Sequence, residues 1–207
     1  MTAKSPAMLI LASKSTTRKT LLENAGLVFS LASPGIDERK IETMALTQNE
    51  NRAGLARILA EQKALAVSVA QRGAMVIGAD QTLEFDGKAL HKPSDRVEAR
   101  ARLLAMAGKS HQLHSGVALA RDGKIVWSLV ATADLTFKQF DSSTVDAVLD
   151  REGDAILDSV AAYRLEGPSI RLFERIEGDY FTILGLPLLE LLAALEQHAP
   201  ESLEPAS

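Results

Sequence analysis

The chain contains no cysteine. Disulfide frameworks, thiolate metal sites and cysteine nucleophiles are thereby excluded, and a reducing compartment is compatible with what remains. Aromatic residues make up only 4% of the 207 positions, with Trp127 the single tryptophan. These few rings read as core or hairpin packing, not as a base-stacking platform for a nucleic acid strand. Long apolar runs are missing as well. The stretch Met8 to Ala12 is too short for a signal-peptide core or a bilayer span, which predicts a cytoplasmic protein with no membrane partner. No charge of one sign dominates either: 23 basic and 27 acidic residues are interspersed, for a formal charge of −4. That balance offers no attraction to a polyanion, so a nucleic acid polymer is not expected as a partner.

What is present is an apolar content of 46%, enough for a sizeable core. No internal repeat, linker or break in composition divides the chain. One domain is expected over residues 1–198, followed by a disordered tail over 199–207. Local patterns alternate between strand and helix. The run MLILA predicts a strand, and Ser15 then caps a helix that ends at Gly26. A second strand is expected over Val28–Ala32, then an irregular acidic segment, SPGIDERK, then a long helix over Gln48–Gln71. AMVIGAD predicts a buried strand ending at Asp80. Asp86-Gly87 and Asp122-Gly123 mark two hairpins, the second joining long arms, and Pro93-Ser94 opens a helix through Met106. Beyond these lie a helix over Ser143–Glu152, an irregular segment through Gly167, strands near Ile170–Arg175 and Phe181–Leu184, and a last apolar helix from Pro187. The alternation implies an α/β fold on a mixed sheet.

Several residues have the chemistry for a site. Ser13-Lys14-Ser15-Thr16-Thr17-Arg18 combines hydroxyls, two cations and the free N–H groups of a helix start, which suits a phosphate; an ordinary helix cap has the same composition. It is not a P-loop, because Gly108-Lys109-Ser110 lacks the glycine five residues earlier. Asp80, placed after the buried VIGA, can hold a divalent cation or take a proton from water, or merely cap a turn. Asp37 and Glu38 are hard oxygen donors for Mg²⁺ or Mn²⁺, or else a solvated loop. Lys63 and Lys92 can neutralise phosphate. His111 and His114 are three apart, so on a strand they face opposite ways and do not form a paired metal site. Serine, histidine and aspartate are too scattered for a hydrolase triad.

Six blocks in order, LILASKSTTRKTLLENAGLVF, IDER, LAEQKALAV, VIGADQTLEFDGKALHKP, AGKSHQLHSGVAL and ERIEGDYFTILGLPLLEL, resemble the Maf family over nearly the whole chain. The resemblance implies a fold similar to inosine triphosphate pyrophosphatases: a bent mixed sheet flanked by helices, with a central cleft. It also implies cleavage of a nucleoside triphosphate to monophosphate and pyrophosphate with a divalent metal cation (Mg²⁺ or Mn²⁺), and frequent homodimers. By the same matching, Asp80 is the catalytic, metal-binding carboxylate and Glu38 a second metal-linked one. Ser13, Ser15, Arg18, Lys63 and Lys92 are then the substrate-binding residues.

Departures from the family pattern bear on the base. Ser15-Thr16-Thr17-Arg18 replaces Ser-Pro-Arg-Arg or Ser-Pro-Trp-Arg, so the specificity position is Thr17. Gln81 and Glu166 stand where the pyrimidine-cutting subgroup has threonine and glutamine, and resemble the subgroup acting on 7-methyl-GTP. A carboxylate can accept from both N1–H and the 2-amino group of guanine and suits a cationic methylated ring. Ser159 to Arg164 replaces Ala-Gly-Ala-Tyr-Gly, losing both glycines. Removal of modified purine nucleotides is the leading reading, with cleavage of dTTP or UTP, or a non-catalytic role in cell division, as alternatives.

Overall fold

The structure is a computed structural model that describes residues 8–48 and 50–204. In chain order its elements are β1 (Leu9–Ala12), α1 (Thr16–Asn24), β2 (Ser30–Leu31), α2 (Glu38–Thr47), α3 (Arg52–Ala70), β3 (Met75–Phe85), β4 (Lys88–Leu90), α4 (Arg96–Met106), β5 (Ser110–Arg121), β6 (Lys124–Phe137), α5 (Ser142–Glu152), β7 (Phe173–Glu177), α6 (Tyr180–Ile183) and α7 (Leu188–His198). Short 3₁₀ helices occupy Gly153–Asp158, Pro168–Leu172 and Pro200–Ser202. Seven strands form one sheet in the order β2-β1-β3-β5-β6-β7, with β4 paired to β3. The β2, β1 and β3 pairings are parallel and the rest antiparallel, so the sheet is mixed, as expected.

The period-two alternation of β3 distributes its residues between two cores. Met75, Ile77 and Ala79 face α1 and α7, together with Leu9, Leu11, Val117 and Leu119. Val76 faces α3 with Ile10, Ala12, Ala118 and Ala120. A further cluster, around Leu103, Phe137, Val145 and Tyr163, packs α4 and α5 against the far ends of β3, β5 and β6.

Helix α3 lies unusually close to the sheet. Its buried stripe contains Ala56, Ala60 and Ala64, which keep the helix surface shallow, and it faces two glycines. A Cβ at Gly78 would stand 2.1 Å from the Ala60 carbonyl oxygen, and one at Gly116 would stand 2.2 Å from that of Ala56. Backbone therefore rests on backbone, and no side chain fits between them.

Local signals that the sequence carries are met in several places. Ser15 Oγ caps α1, and Asp86-Gly87 and Asp122-Gly123 all have positive φ, as the two-residue hairpin turns require. Four expectations are revised. The acidic segment is not irregular throughout: α2 starts at Glu38, capped by Asp37, whose carboxylate accepts from the Lys40 N–H. Strand β3 does not stop at Asp80 but continues to Phe85, because β5 pairs with it antiparallel from Val76 to Glu84, well past the end of β1. Residues 181–184 are not a strand; Asp179 caps a short helix there by accepting from the Thr182 N–H. The expected disordered tail is packed at its start, where Ala199 is fully buried, Leu203 joins the α7 core and Arg121 pairs with Glu201 at 3.3 Å. The remainder of that expected tail, residues 205–207, lies outside the described residues. No helix among the described residues is long and apolar enough to cross a membrane.

His111 and His114 point to opposite faces of β5 as the spacing required. His114 Nδ1 lies 2.9 Å from Thr132 Oγ1, whereas His111 Nε2 lies 2.7 Å from the Tyr163 hydroxyl, inside the aromatic cluster with Phe137 and Phe173. Burial pushes the His111 pKa down from 6.5 to about 4.

Two predictions follow from this packing. Gly78→Ala should lower the unfolding free energy by about 3 kcal/mol, since the helix backbone cannot yield locally; urea denaturation measures it. His111 is held neutral, so its contribution is complete above pH 6.5 and is lost as the pH falls from 6.5 towards 4, where the unfolded chain takes up a proton and the folded chain does not. Melting temperatures across that range should fall less steeply in His111→Gln, by the equivalent of about one proton.

Candidate active site

Beyond Ala12, β1 no longer covers β3, and a cleft of about 910 Å³ opens beside the continuing strand. Ser13, Ser15, Thr17, Arg18, Glu38, Lys63, Asp80, Gln81, Lys92 and Glu166 all line it. Residues spread over more than 150 positions are thus brought to one place, although their surroundings differ from one another in ways the sequence did not indicate.

Asp80 belongs to the Gly78 face of β3, the face beneath α3. Its partner across the strand is Gly116, so the glycines that admit the helix also leave space around the carboxylate. Lys63 projects from the same stripe of α3 as Ala60 and Ala64, and its Nζ donates to Asp80 Oδ1 at 2.5 Å. It also pairs with Glu38 Oε1 at 2.8 Å. Lys63 and Asp80 are buried, while the Glu38 side chain is 53% exposed. The Lys63 ammonium, expected to face substrate, stands between the two carboxylates. Burial raises the pKa of Asp80 above the ordinary carboxylate value, while Lys63 and Arg18 draw it down. A carboxylate so placed is a stronger base than one in water.

The phosphate-type turn is formed by the β1–α1 junction. Ser13 Oγ accepts from the Ser15 N–H, and Ser15 Oγ accepts from the Arg18 N–H. Arg18 is buried and engaged with the protein itself. Its Nε donates to the Gly185 carbonyl at 2.8 Å, and its Nη1 donates to the Ala79 carbonyl at 3.0 Å and to Ser13 Oγ at 3.3 Å. Burial lowers its pKa, with Asp80 and Glu38 acting in the other direction. Arg18 therefore ties the turn to β3 and to the α6–α7 connection. Lys92 is exposed at the rim.

Gln81 follows Asp80 and so faces the opposite side of the strand. Its Nε2 has three acceptors in reach: Ser115 Oγ at 3.0 Å, the Ile183 carbonyl at 3.0 Å and the Thr182 carbonyl at 3.2 Å. Ser115 in turn donates to the Thr182 carbonyl, which fixes the direction of the amide. Among the described residues no donor reaches Gln81 Oε1, so the group left for a ligand is an acceptor. Glu166 adds a carboxylate on the cleft wall, 3.4 Å from Arg164 Nε. In the altered Ser159–Arg164 block only Ala162 has a positive φ, 57°, so Arg164 sits there without left-handed strain.

Three engagements in and around the cleft have little signal in the sequence. Arg52, the first residue of α3, pairs with Glu42 in the middle of α2 at 3.0 Å on the cleft wall, and neither has a motif around it. Arg102 donates to the carbonyls of His91 and Val160, joining the Lys92 loop to the Ser159–Arg164 block; its one local signal is the Glu98–Arg102 helix spacing. Glu152 is buried at the end of α5, where the sequence shows only the last residue of a helix.

A family model described as Maf-like protein matches residues 8–198, which contain every residue of this cleft. The chain belongs to the Maf family. It is similar to a 7-methyl-GTP pyrophosphatase of Brucella suis, 51% identical over 189 residues that cover 91% of this chain and 95% of the relative. A nucleoside triphosphate pyrophosphatase of Bradyrhizobium diazoefficiens is 52% identical over 192 residues, covering 93% of each chain. A second 7-methyl-GTP pyrophosphatase, from Rhizobium meliloti, is 45% identical over 190 residues, 92% of this chain and 96% of the relative. The fold expected of a Maf protein, α/β on a mixed sheet with a cleft, is the one observed.

The ion pair at the base of the Maf cleft makes a stability prediction. Lys63→Met leaves a buried carboxylate without its partner and should cost about 3–5 kcal/mol in urea denaturation. The double variant Lys63→Met/Asp80→Asn should recover a large part of that loss, because no unpaired charge then remains.

Proposed function

We propose that this protein hydrolyses a nucleoside triphosphate to the monophosphate and pyrophosphate, with a guanine-type base such as that of 7-methyl-GTP against Gln81 and Glu166. The observation that carries the reading is the buried Asp80 carboxylate, held by Lys63 at the inner end of a cleft that also contains the Ser13–Arg18 turn. The relatives' named activities support the reaction type.

The triphosphate would lie along the α1 N-terminus, where Ser13, Ser15 and the free backbone N–H groups meet it and Lys92 adds charge from the rim. Asp80 would take a proton from water as the water oxygen bonds to the α-phosphorus and the bond from that phosphorus to the bridging oxygen breaks, releasing pyrophosphate. Lys63 orients Asp80, and Arg18 holds the turn in register with β3. Among the described residues no three histidine or carboxylate side chains converge to form a metal cage. Two carboxylates plus substrate phosphates are, however, the donor set that Mg²⁺ or Mn²⁺ accepts, so Asp80 and Glu38 fit such an ion. When bound, it would neutralise phosphate charge and stabilise the leaving pyrophosphate.

The base assignment rests on acceptors. Gln81 Oε1 and the Glu166 carboxylate both demand donors, which the N1–H and 2-amino edge of guanine supplies as an adjacent pair, whereas uracil and thymine offer only the single N3–H. The negative charge of Glu166 also suits a cationic ring. Removal of such a modified nucleotide before it enters nucleic acid would be a cytoplasmic task.

Pyrophosphate release from 7-methyl-GTP, GTP, UTP and dTTP with Mg²⁺ or Mn²⁺ tests the reading. The expected outcome is preferred cleavage of 7-methyl-GTP, lost on chelation of the metal and reduced by about 10³-fold in Asp80→Asn. Preference for UTP or dTTP would overturn the base assignment. If no triphosphate yields pyrophosphate, the reaction itself is wrong.

A further inference from the structure

Glu152 is the last residue of α5, and its side chain is only 1% exposed. A carboxylate there meets two penalties. It is removed from water, and it stands at the negative end of the helix dipole. Its surroundings show what it holds. Oε1 accepts from the Ser169 N–H at 3.0 Å and from Ser169 Oγ at 2.6 Å. Gly167 lies against the carboxylate so closely that an added Cβ would be 2.7 Å from Oε1 and 2.9 Å from Oε2. Oε2 is buried without a hydrogen-bond partner, and the nearest cation is Arg164 Nη1 at 3.7 Å. The Nε of the same guanidinium is 3.4 Å from Glu166 Oε1.

One guanidinium therefore stands between a buried carboxylate that grips the backbone of residues 167–169 and the cleft carboxylate of residue 166. We propose that Glu152 and Arg164 are positioning residues for base selection, Glu152 anchoring the segment that carries Glu166 and Arg164 aiming the Glu166 carboxylate into the cleft. The inference rests on the reading above of Glu166 as the acceptor for the base. It gives a role to Arg164, which occupies a position where the family pattern has glycine and no side chain could make this bridge.

A charge-only role predicts a different result from a positioning role. If Arg164 merely added positive charge to the cleft, its removal would favour the cationic 7-methyl-GTP over neutral GTP. If it aims Glu166, its removal weakens both guanine nucleotides together and leaves a pyrimidine nucleotide unaffected.

The test is steady-state pyrophosphate release from 7-methyl-GTP, GTP and UTP by the full chain and by Arg164→Ala, Arg164→Lys, Glu152→Gln, Glu166→Ala and the Arg164→Ala/Glu166→Ala double variant. Arg164→Ala should raise KM for both guanine nucleotides about tenfold with kcat changed less than about twofold, and leave kcat/KM for UTP unmoved. Arg164→Lys should recover most of the loss. The double variant should be no worse than Glu166→Ala alone, because the arginine acts through the glutamate. Glu152→Gln should behave like Arg164→Ala; if it does not fold, as seen by circular dichroism, the arginine variants at the partly exposed position decide the matter. Equal losses on all three nucleotides, a fall in kcat with KM unmoved, or a gain for 7-methyl-GTP over GTP would overturn the inference. If Glu166→Ala shifts the base preference and Arg164→Ala does not, this inference alone fails. If Glu166→Ala leaves the preference unchanged, the base assignment falls and takes the inference with it.

Discussion

The close seating of α3 on Gly78 and Gly116 is the constraint from which the cleft follows. A helix packed through ordinary side chains stands about 10 Å from a sheet, and a lysine on its inner face would then be submerged among apolar neighbours. Here the backbone of residues 56–64 rests on the strands, so Lys63 reaches a carboxylate only two residues along β3 from the point of contact. Thr82, two residues further on the same face, donates to the Arg52 carbonyl and pins the start of the helix. The alanines of α3 are as much a part of this arrangement as the glycines, because both surfaces must be shallow for the backbones to meet.

Within the cleft, the balance of charge sets what each group is free to do. Asp80 and Lys63 are both withdrawn from water, and their contact compensates a desolvation that neither could bear alone. Glu38 is largely solvated and adds little to stability, yet with it the two carboxylates balance the two cations Lys63 and Arg18. Arg18 is used differently. With two of its nitrogens spent on carbonyls and a serine, it is a brace across three segments, and its proximity to the site comes from that bracing.

Sequence patterns revealed the elements whose signals are local. The Ser15 cap, the two Asp-Gly turns and the run of small residues in α3 each carry their cause within a few positions. The start of α2 is hard to read because proline and glycine stand just before it, its first turn is all charged, and the decisive cap, Asp37, looks the same whether it caps or binds. That β3 runs unbroken into the arm before Asp86-Gly87 is not local information: polar Gln81 and Thr82 are tolerated in mid-strand because each finds a distant partner, α6 for one and α3 for the other. The cleft residues could be named from their blocks, but not their engagements. That Lys63 faces carboxylates, or that Glu152 grips Ser169, depends on contacts between segments 17 residues apart in sequence whose meeting is decided by the whole sheet.

Asp80 and Gln81 are consecutive, and the pleat sends them to opposite sides of one strand, the first beneath α3 and the second towards α6. On the proposed reading, bond breaking and base selection stand on opposite faces of one strand, joined by the peptide bond between Asp80 and Gln81 and by the Arg18 brace that runs from the β1–α1 turn to the α6–α7 connection. On that reading, a substitution on the Gln81 side would alter the base accepted and leave the Asp80–Lys63 pair in place on the other side. A chain built this way would change what it holds without changing how it cuts.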